Sequence, residues 1–134
     1  MTGLNDLVGK VVQSLWVEEG EHNLVIKTDG GDCNLHVEGD CCSESWFADF
    51  LGVDTLLNQS VVKVEEVEMP DYDTNDNRGR QDEDQVYGYR FTTARGYADL
   101  IFRNSSNGYY GGWLNVSDNQ SIEGFVPILS DWKA

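Results

Sequence analysis

The stretch Ser43-Glu44-Ser45-Trp46-Phe47-Ala48-Asp49-Phe50-Leu51-Gly52 decides how this chain is read. Its apolar residues Trp46, Phe47, Phe50 and Leu51 recur at helical spacing. Ser43 suits an N-cap, Glu44 complements the positive end of a helix dipole, and Gly52 suits a terminator. A helix over Ser43–Leu51 is expected, with a short further turn over 53–58.

On both sides of this stretch the period is two. Leu15 and Val17 close a strand over 10–18. Leu24, Ile26 and Thr28 alternate with Asn23, Val25 and Lys27. Asp29-Gly30-Gly31-Asp32 is a hairpin turn, because glycine takes the positive φ that such turns require. Cys33, Leu35 and Val37 then face one way, and Asn34, His36 and Glu38 the other. After the expected helix, Val61–Met69 reads as a strand with a slip at Glu65-Glu66, taken as a β-bulge. Gln85–Thr93, Tyr97–Arg103 and Tyr109–Val116 complete the strands. The apolar tail Ile122–Trp132 is expected to cover an open end of the sheet. The order is three strands, a helix, then four strands, joined by hairpin-length turns. That order predicts an α+β fold: a strongly curved, mainly antiparallel sheet or small open barrel with one helix packed on it. Cys33, Leu35, Val37, Trp46, Phe50, Val62, Val64, Leu100 and Phe102 should share one core.

A chain of 134 residues with fifteen aromatics fits a single domain, 1–134. Lys and Arg number 9 against 24 Asp and Glu, a net charge of −15. Nine of these acids and two arginines lie between Glu65 and Asp84, a local net of −7. Such a surface repels nucleic acid and anionic membranes and attracts cations or basic proteins. Residues 71–84 are expected to form a mobile acidic loop. No apolar run is long enough to span a bilayer. The N-terminus lacks a basic region followed by an apolar stretch, so no secretory signal is expected. Three cysteines, two of them adjacent, do not suit a disulfide framework, and a cytoplasmic setting is expected.

Candidate chemistry is sparse. Cys33 and His36 lie three apart on a strand and so on opposite faces, which argues against zinc. Cys41 and Cys42 stand where a helix would begin, a position that can activate a thiol. Asp40 and Glu44 oppose that shift, and both cysteines are expected to be reduced and metal-free. Asp71, Asp73, Asn75 and Asp82 match positions 1, 3, 5 and 12 of a calcium-loop pattern. The match is partial: Asp76 stands where glycine is needed for the turn, and strands flank the loop. These four residues are the divalent-cation candidates. Tyr87, Tyr89, Phe91, Tyr97, Tyr109, Tyr110 and Trp113 could form a contact surface, though packing is the simpler use. His22 and His36 stand apart from any nucleophile in sequence, and no nucleophile-elbow, phosphate-loop or paired-histidine motif occurs. No catalytic residue and no cofactor are expected.

The segment Val37-Glu38-Gly39-Asp40-Cys41-Cys42-Ser43-Glu44-Ser45-Trp46, followed by Gly88-Tyr89-Arg90-Phe91 and Gly108-Tyr109-Tyr110-Gly111-Gly112-Trp113, carries a resemblance. It resembles an uncharacterised family of small proteins of bacteriophages, notably phages of actinobacteria, and of some bacteria. The Gly-Asp-Cys-Cys-Ser-Glu-Ser-Trp string is its most specific part. The resemblance implies an accessory protein, phage-encoded and acting in the host cytoplasm, and assigns no functional residue. Composition and resemblance together lead to one expectation: a non-enzymatic protein that binds a host or phage macromolecule. The alternatives are an acidic mimic of DNA that blocks a basic nucleic-acid-binding protein, and a binder of a small molecule or divalent cation. The expected partner is a protein, or a further copy of the chain. Nucleic acid and membranes are not expected.

Overall fold

The structure, a computed structural model, describes residues 3–40, 43–74, 78, 83–106, 111–118 and 121–134. It is built almost wholly of strands. In chain order these are β1 (Val12–Glu18), β2 (Asn23–Thr28), β3 (Gly31–Gly39), β4 (Glu44–Leu51), β5 (Lys63–Val67), β6 (Glu83–Thr93), β7 (Gly96–Ser106), β8 (Gly112–Ser117), β9 (Phe125–Pro127) and β10 (Trp132–Lys133). One helical turn, α1 (Val53–Leu56), follows β4, and a 3-10 turn (Leu4–Leu7) precedes β1.

The strands form two antiparallel five-stranded sheets, ordered β8-β3-β2-β1-β9 and β10-β4-β7-β6-β5. Their inner faces share the main core. Leu15, Leu24, Ile26, Cys33 and Leu35 come from the first sheet, and Phe47, Phe50, Phe91, Leu100 and Phe102 from the second. This is a β-sandwich. The expected α+β class and open barrel are therefore corrected: the sheets are separate and the helix over Ser43–Leu51 is a strand.

The cause of that error is local. β4 pairs with β7 through Trp46↔Arg103 and Phe47↔Phe102, then resumes at Asp49↔Ile101 and Phe50↔Leu100. Ala48 is the extra residue of a β-bulge. The bulge puts Phe47 and Phe50, three apart, on the inner face. It puts Trp46 and Asp49, also three apart, on the outer face. A bulge thus reproduces the i, i+3 spacing of a helix. Polar alternation does not betray the strand either, because both its faces are buried.

The outer face of the second sheet carries a smaller core of its own. Trp46, Ala48 and Ile101 are buried there, covered by Met69, Tyr72 and Val86. This second core explains the phase change in Val61–Met69. β5 pairs with β6 in unbroken register from Lys63↔Thr92 to Val67↔Gly88, so the expected bulge at Glu65-Glu66 is absent. Val64 packs against the main core, while Val67 shares the face of Ile101 and Met69 joins the second core. Val62, expected inside, is 61% exposed. Trp46 is buried as expected, but in the second core. The tail extends both sheets at their edges: β9 pairs with β1 and β10 with β4. Ile128 between them is buried.

Candidate functional site

β6 is eleven residues long and β5 only five. β5 covers β6 from Gly88 to Thr92 and ends at Val67. From Glu83 to Tyr87, β6 pairs with β7 on one side. On its other side no described residue pairs with it. The chain leaving β5 cannot extend the ladder past Pro70, which has no N–H to give. It turns instead at Met69, where the Tyr72 amide donates to the Met69 carbonyl at 3.2 Å.

A groove of about 730 Å3 lies between the departing chain and β6. Val67, Met69 and Pro70 form one wall, and Val86, Tyr87 and Tyr89 the other. Glu66, Glu68, Asp84 and Gly88 complete the lining. Tyr89 donates its hydroxyl proton to Glu66 Oε1 at 3.1 Å. Burial first, then the charge and hydrogen bond of Glu66, push the Tyr89 phenol up to about 12. Asp84 is held by the buried Arg103 guanidinium. Glu66 and Glu68 are exposed, and so is Glu83 at the start of the strand.

The polar chain beyond the groove is anchored to the sheet at three described points. Tyr72 donates its hydroxyl proton to Asp49. Arg103 Nη2 donates to the Thr74 carbonyl at 3.4 Å. Arg78 reaches Glu44 Oε1 at 2.9 Å and Glu21 Oε1 at 3.4 Å. Its guanidinium carbon lies 4.7 Å from the centre of the Trp46 ring, a cation–π distance. Other cations are tied down in the same way. Arg90 grips Asp99 with two bonds of 2.8 and 3.0 Å, Lys27 meets Asp32 at 3.5 Å, and Lys63 pairs with Glu65.

The cation candidates from sequence do not assemble among the described residues. Asp71 and Asp73 are exposed in and after the turn that follows Pro70. Asn75 and Asp82 lie outside the described residues, as do Cys41 and Cys42. Among the described residues, no group of three His, Cys, Asp or Glu side chains stands close enough to share a metal ion. Cys33 lies in the main core, where burial pushes its thiol up to about 11. His36 is on the opposite face, with Nδ1 2.9 Å from Asn23 Oδ1 and Nε2 3.4 Å from Glu38.

Two features were not read from sequence. His22 and His36 line one shallow hollow of about 330 Å3 with Glu38, Ser43 and Glu44. The 2:2 register of the β2–β3 hairpin, which pairs Asn23 with His36, is the signal that could have revealed it. Two of the strings that carry the resemblance also meet in space: Glu38 pairs with Trp113 and Gly39 with Gly112.

A family model described as a domain of unknown function (DUF7448) matches residues 5–116. The chain belongs to that family. It is also similar to an uncharacterized protein of Acanthamoeba polyphaga mimivirus, with 36% identity over 87 residues. That match covers 61% of this chain and 65% of the viral protein, a little under two thirds of its length. This relative shows a viral source, and the phage and actinobacterial setting that the resemblance implies is not shown by it. No solved structure matches.

Proposed function

We propose that this member of the DUF7448 family works by binding rather than by catalysis, and that its partner is a basic polypeptide. One observation carries the reading: five of the nine cations are tied to carboxylates of the same chain. Lys27, Lys63, Arg78, Arg90 and Arg103 each face a carboxylate of the same chain. The acidic excess is left to project outward. A net charge of −15 on a molecule this small steers positively charged partners toward it.

A mimic of the DNA backbone is the weaker reading. It needs carboxylates in a continuous row, and the acids of 65–84 are interrupted. Glu65 is held by Lys63, and Asp84 by Arg103. The similarity to a viral protein fits a role in an infected cell; the cytoplasmic setting rests on the cysteine usage, and a host or viral protein as target on the charge. Catalysis through Cys33 is disfavoured, because a buried thiol pushed to about 11 is protonated at neutral pH.

The test is a pull-down from host lysate across a salt series, with each captured protein identified by mass. A basic partner whose capture fades steeply between about 0.1 and 1 M salt is expected. A partner that is neutral or acidic, or one held equally at both ends of the series, would overturn the reading.

A further inference from the structure

We infer that the edge of β6 between Glu83 and Tyr87, which no described residue pairs with, takes up an extended segment of the partner as an added strand of the sheet. This rests on the reading above that the partner is a basic polypeptide. It goes further by naming the place and the backbone geometry. A strand edge carries N–H and C=O groups that need partners. β7 satisfies only one side of this stretch, and no described residue satisfies the other. Five residues of strand offer a ladder about 17 Å long. Chains that bind in this way gain affinity from main-chain hydrogen bonds and specificity from pockets for alternate side chains.

The groove supplies such contacts. Asp84 and Val86 share the outer face of the sheet with Arg103, while Tyr87 shares the inner face with Phe102. An added strand would set alternate side chains against Val86 and Met69 on one side and against Tyr87 on the other. The exposed carboxylates of Glu66, Glu68 and Glu83 select Lys or Arg at the intervening or flanking positions. The same charges disfavour a second copy of this chain as the occupant. Edge-to-edge pairing of two β6 strands would bring like charges together across the ladder.

The test uses defined probes. One is an eight-residue peptide alternating lysine and valine. The second is the same peptide N-methylated along the backbone edge that would pair. The third alternates glutamate and valine. Binding is followed by calorimetry and by the backbone amide shifts of the labelled protein. The lysine peptide should bind and shift the amides of Glu83–Tyr87. The methylated peptide should bind at least tenfold more weakly, and the glutamate peptide not at all. The Glu66→Lys, Glu68→Lys double variant should lose the lysine peptide while keeping its circular dichroism spectrum. Equal affinity for the methylated and unmethylated peptides would overturn strand addition and leave the basic-partner reading standing. So would amide shifts confined to other strands. Failure of every basic probe, together with salt-insensitive capture from lysate, would overturn both.

Discussion

The guanidinium carbon of Arg103 lies 4.7 Å from the ring centre of Trp46, on the face of the second sheet that points away from the main core. Both side chains are 1% exposed. A buried guanidinium is tolerated only where its charge and its donors are satisfied. Here Asp84 supplies the countercharge, the Thr74 carbonyl accepts a further bond, and Trp46 offers its ring face. The arrangement ties the start of β6, the middle of β7, β4 and the chain beyond Pro70 into one unit. It also fixes the outer side of the groove, because Asp84 and Val86 belong to both.

Breaking that pair should be costly. Arg103→Met leaves Asp84 without its countercharge and should destabilise by about 3–5 kcal/mol. Asp84→Asn should cost at least as much, since it leaves the guanidinium, the more deeply buried partner, without its countercharge. Urea unfolding of both variants and of the double variant closes a thermodynamic cycle. The double variant should lose less than the sum of the two singles. Strict additivity would show that the two groups do not act as a pair.

Ala48 separates the strand from the helix most sharply. A helix presenting Trp46, Phe47, Phe50 and Leu51 to a sheet would leave residue 48 in solvent. Ala48→Lys would then change stability by no more than about 0.5 kcal/mol. In the sandwich Ala48 is buried beside Trp46 and Ile101. The lysine should therefore cost about 3 kcal/mol or more, as an unpaired charge forced into an apolar site. Chemical denaturation decides between the two.

These residues also mark how far the sequence could be read. The hairpins of the first sheet were legible from the shared phase of Leu24, Ile26, Cys33, Leu35 and Val37 and from the Gly30-Gly31 turn between them. The other face is not simply wet, since Val25 and Asn34 are buried there, but no bulge breaks the period between β2 and β3. The alternation of Tyr87, Tyr89 and Phe91 was legible for the same reason. β4 failed because it is buried on both faces and also carries a bulge, which together replace the period of two by a spacing of three. β5 failed in the opposite sense. Its phase change reported two cores on two faces of one sheet, not a bulge. The acidic excess was visible from composition. The groove was not, because an open edge is a property of which strands pair and where their pairing stops. The sequence gives β5 and β6 similar apolar lengths, whereas their ladder covers only five pairs.

Alkaline pH should unfold the protein from a defined point. Burial holds the Cys33 thiol at about 11 against an ordinary 9.0, and burial with Glu66 holds the Tyr89 phenol at about 12 against 10.0. The unfolded chain releases these protons first, so the folded state binds more protons across that window. Stability is thus fully present below pH 9 and declines as pH rises toward 12. Melting temperatures measured from pH 7 to 12 should be flat and then fall. Cys33→Ala should remove part of the decline between 9 and 11. A melting temperature that rises through this range would contradict the assignment.

Gly112 should not tolerate a side chain. A Cβ there would meet Ser45 Oγ and would stand 2.9 Å from Asn104 Cβ. Asn104 is fully buried, and its amide nitrogen donates to Ser45 Oγ at 2.9 Å and to Ser43 Oγ at 3.2 Å. It has no easy way to retreat. Gly112→Ala should cost about 1–3 kcal/mol through overpacking. Adding Ser45→Ala should recover only part of that cost, because the Asn104 contact remains. Full recovery would place the clash at the serine alone.

The central claim, that a basic partner is held at the acid-rimmed edge of β6, is tested most directly by two variants of equal charge. Glu66→Lys with Glu68→Lys reverses the rim of the groove. Glu19→Lys with Glu123→Lys makes the same change in net charge on exposed residues beside the β1–β2 turn and before β9. Capture of the basic partner from lysate is compared for the two variants and the unaltered protein at one salt concentration. Loss of capture in the groove variant, with capture preserved in the other, is the expected result. Equal loss in both would reduce the effect to bulk charge, and preserved capture in the groove variant would contradict the site.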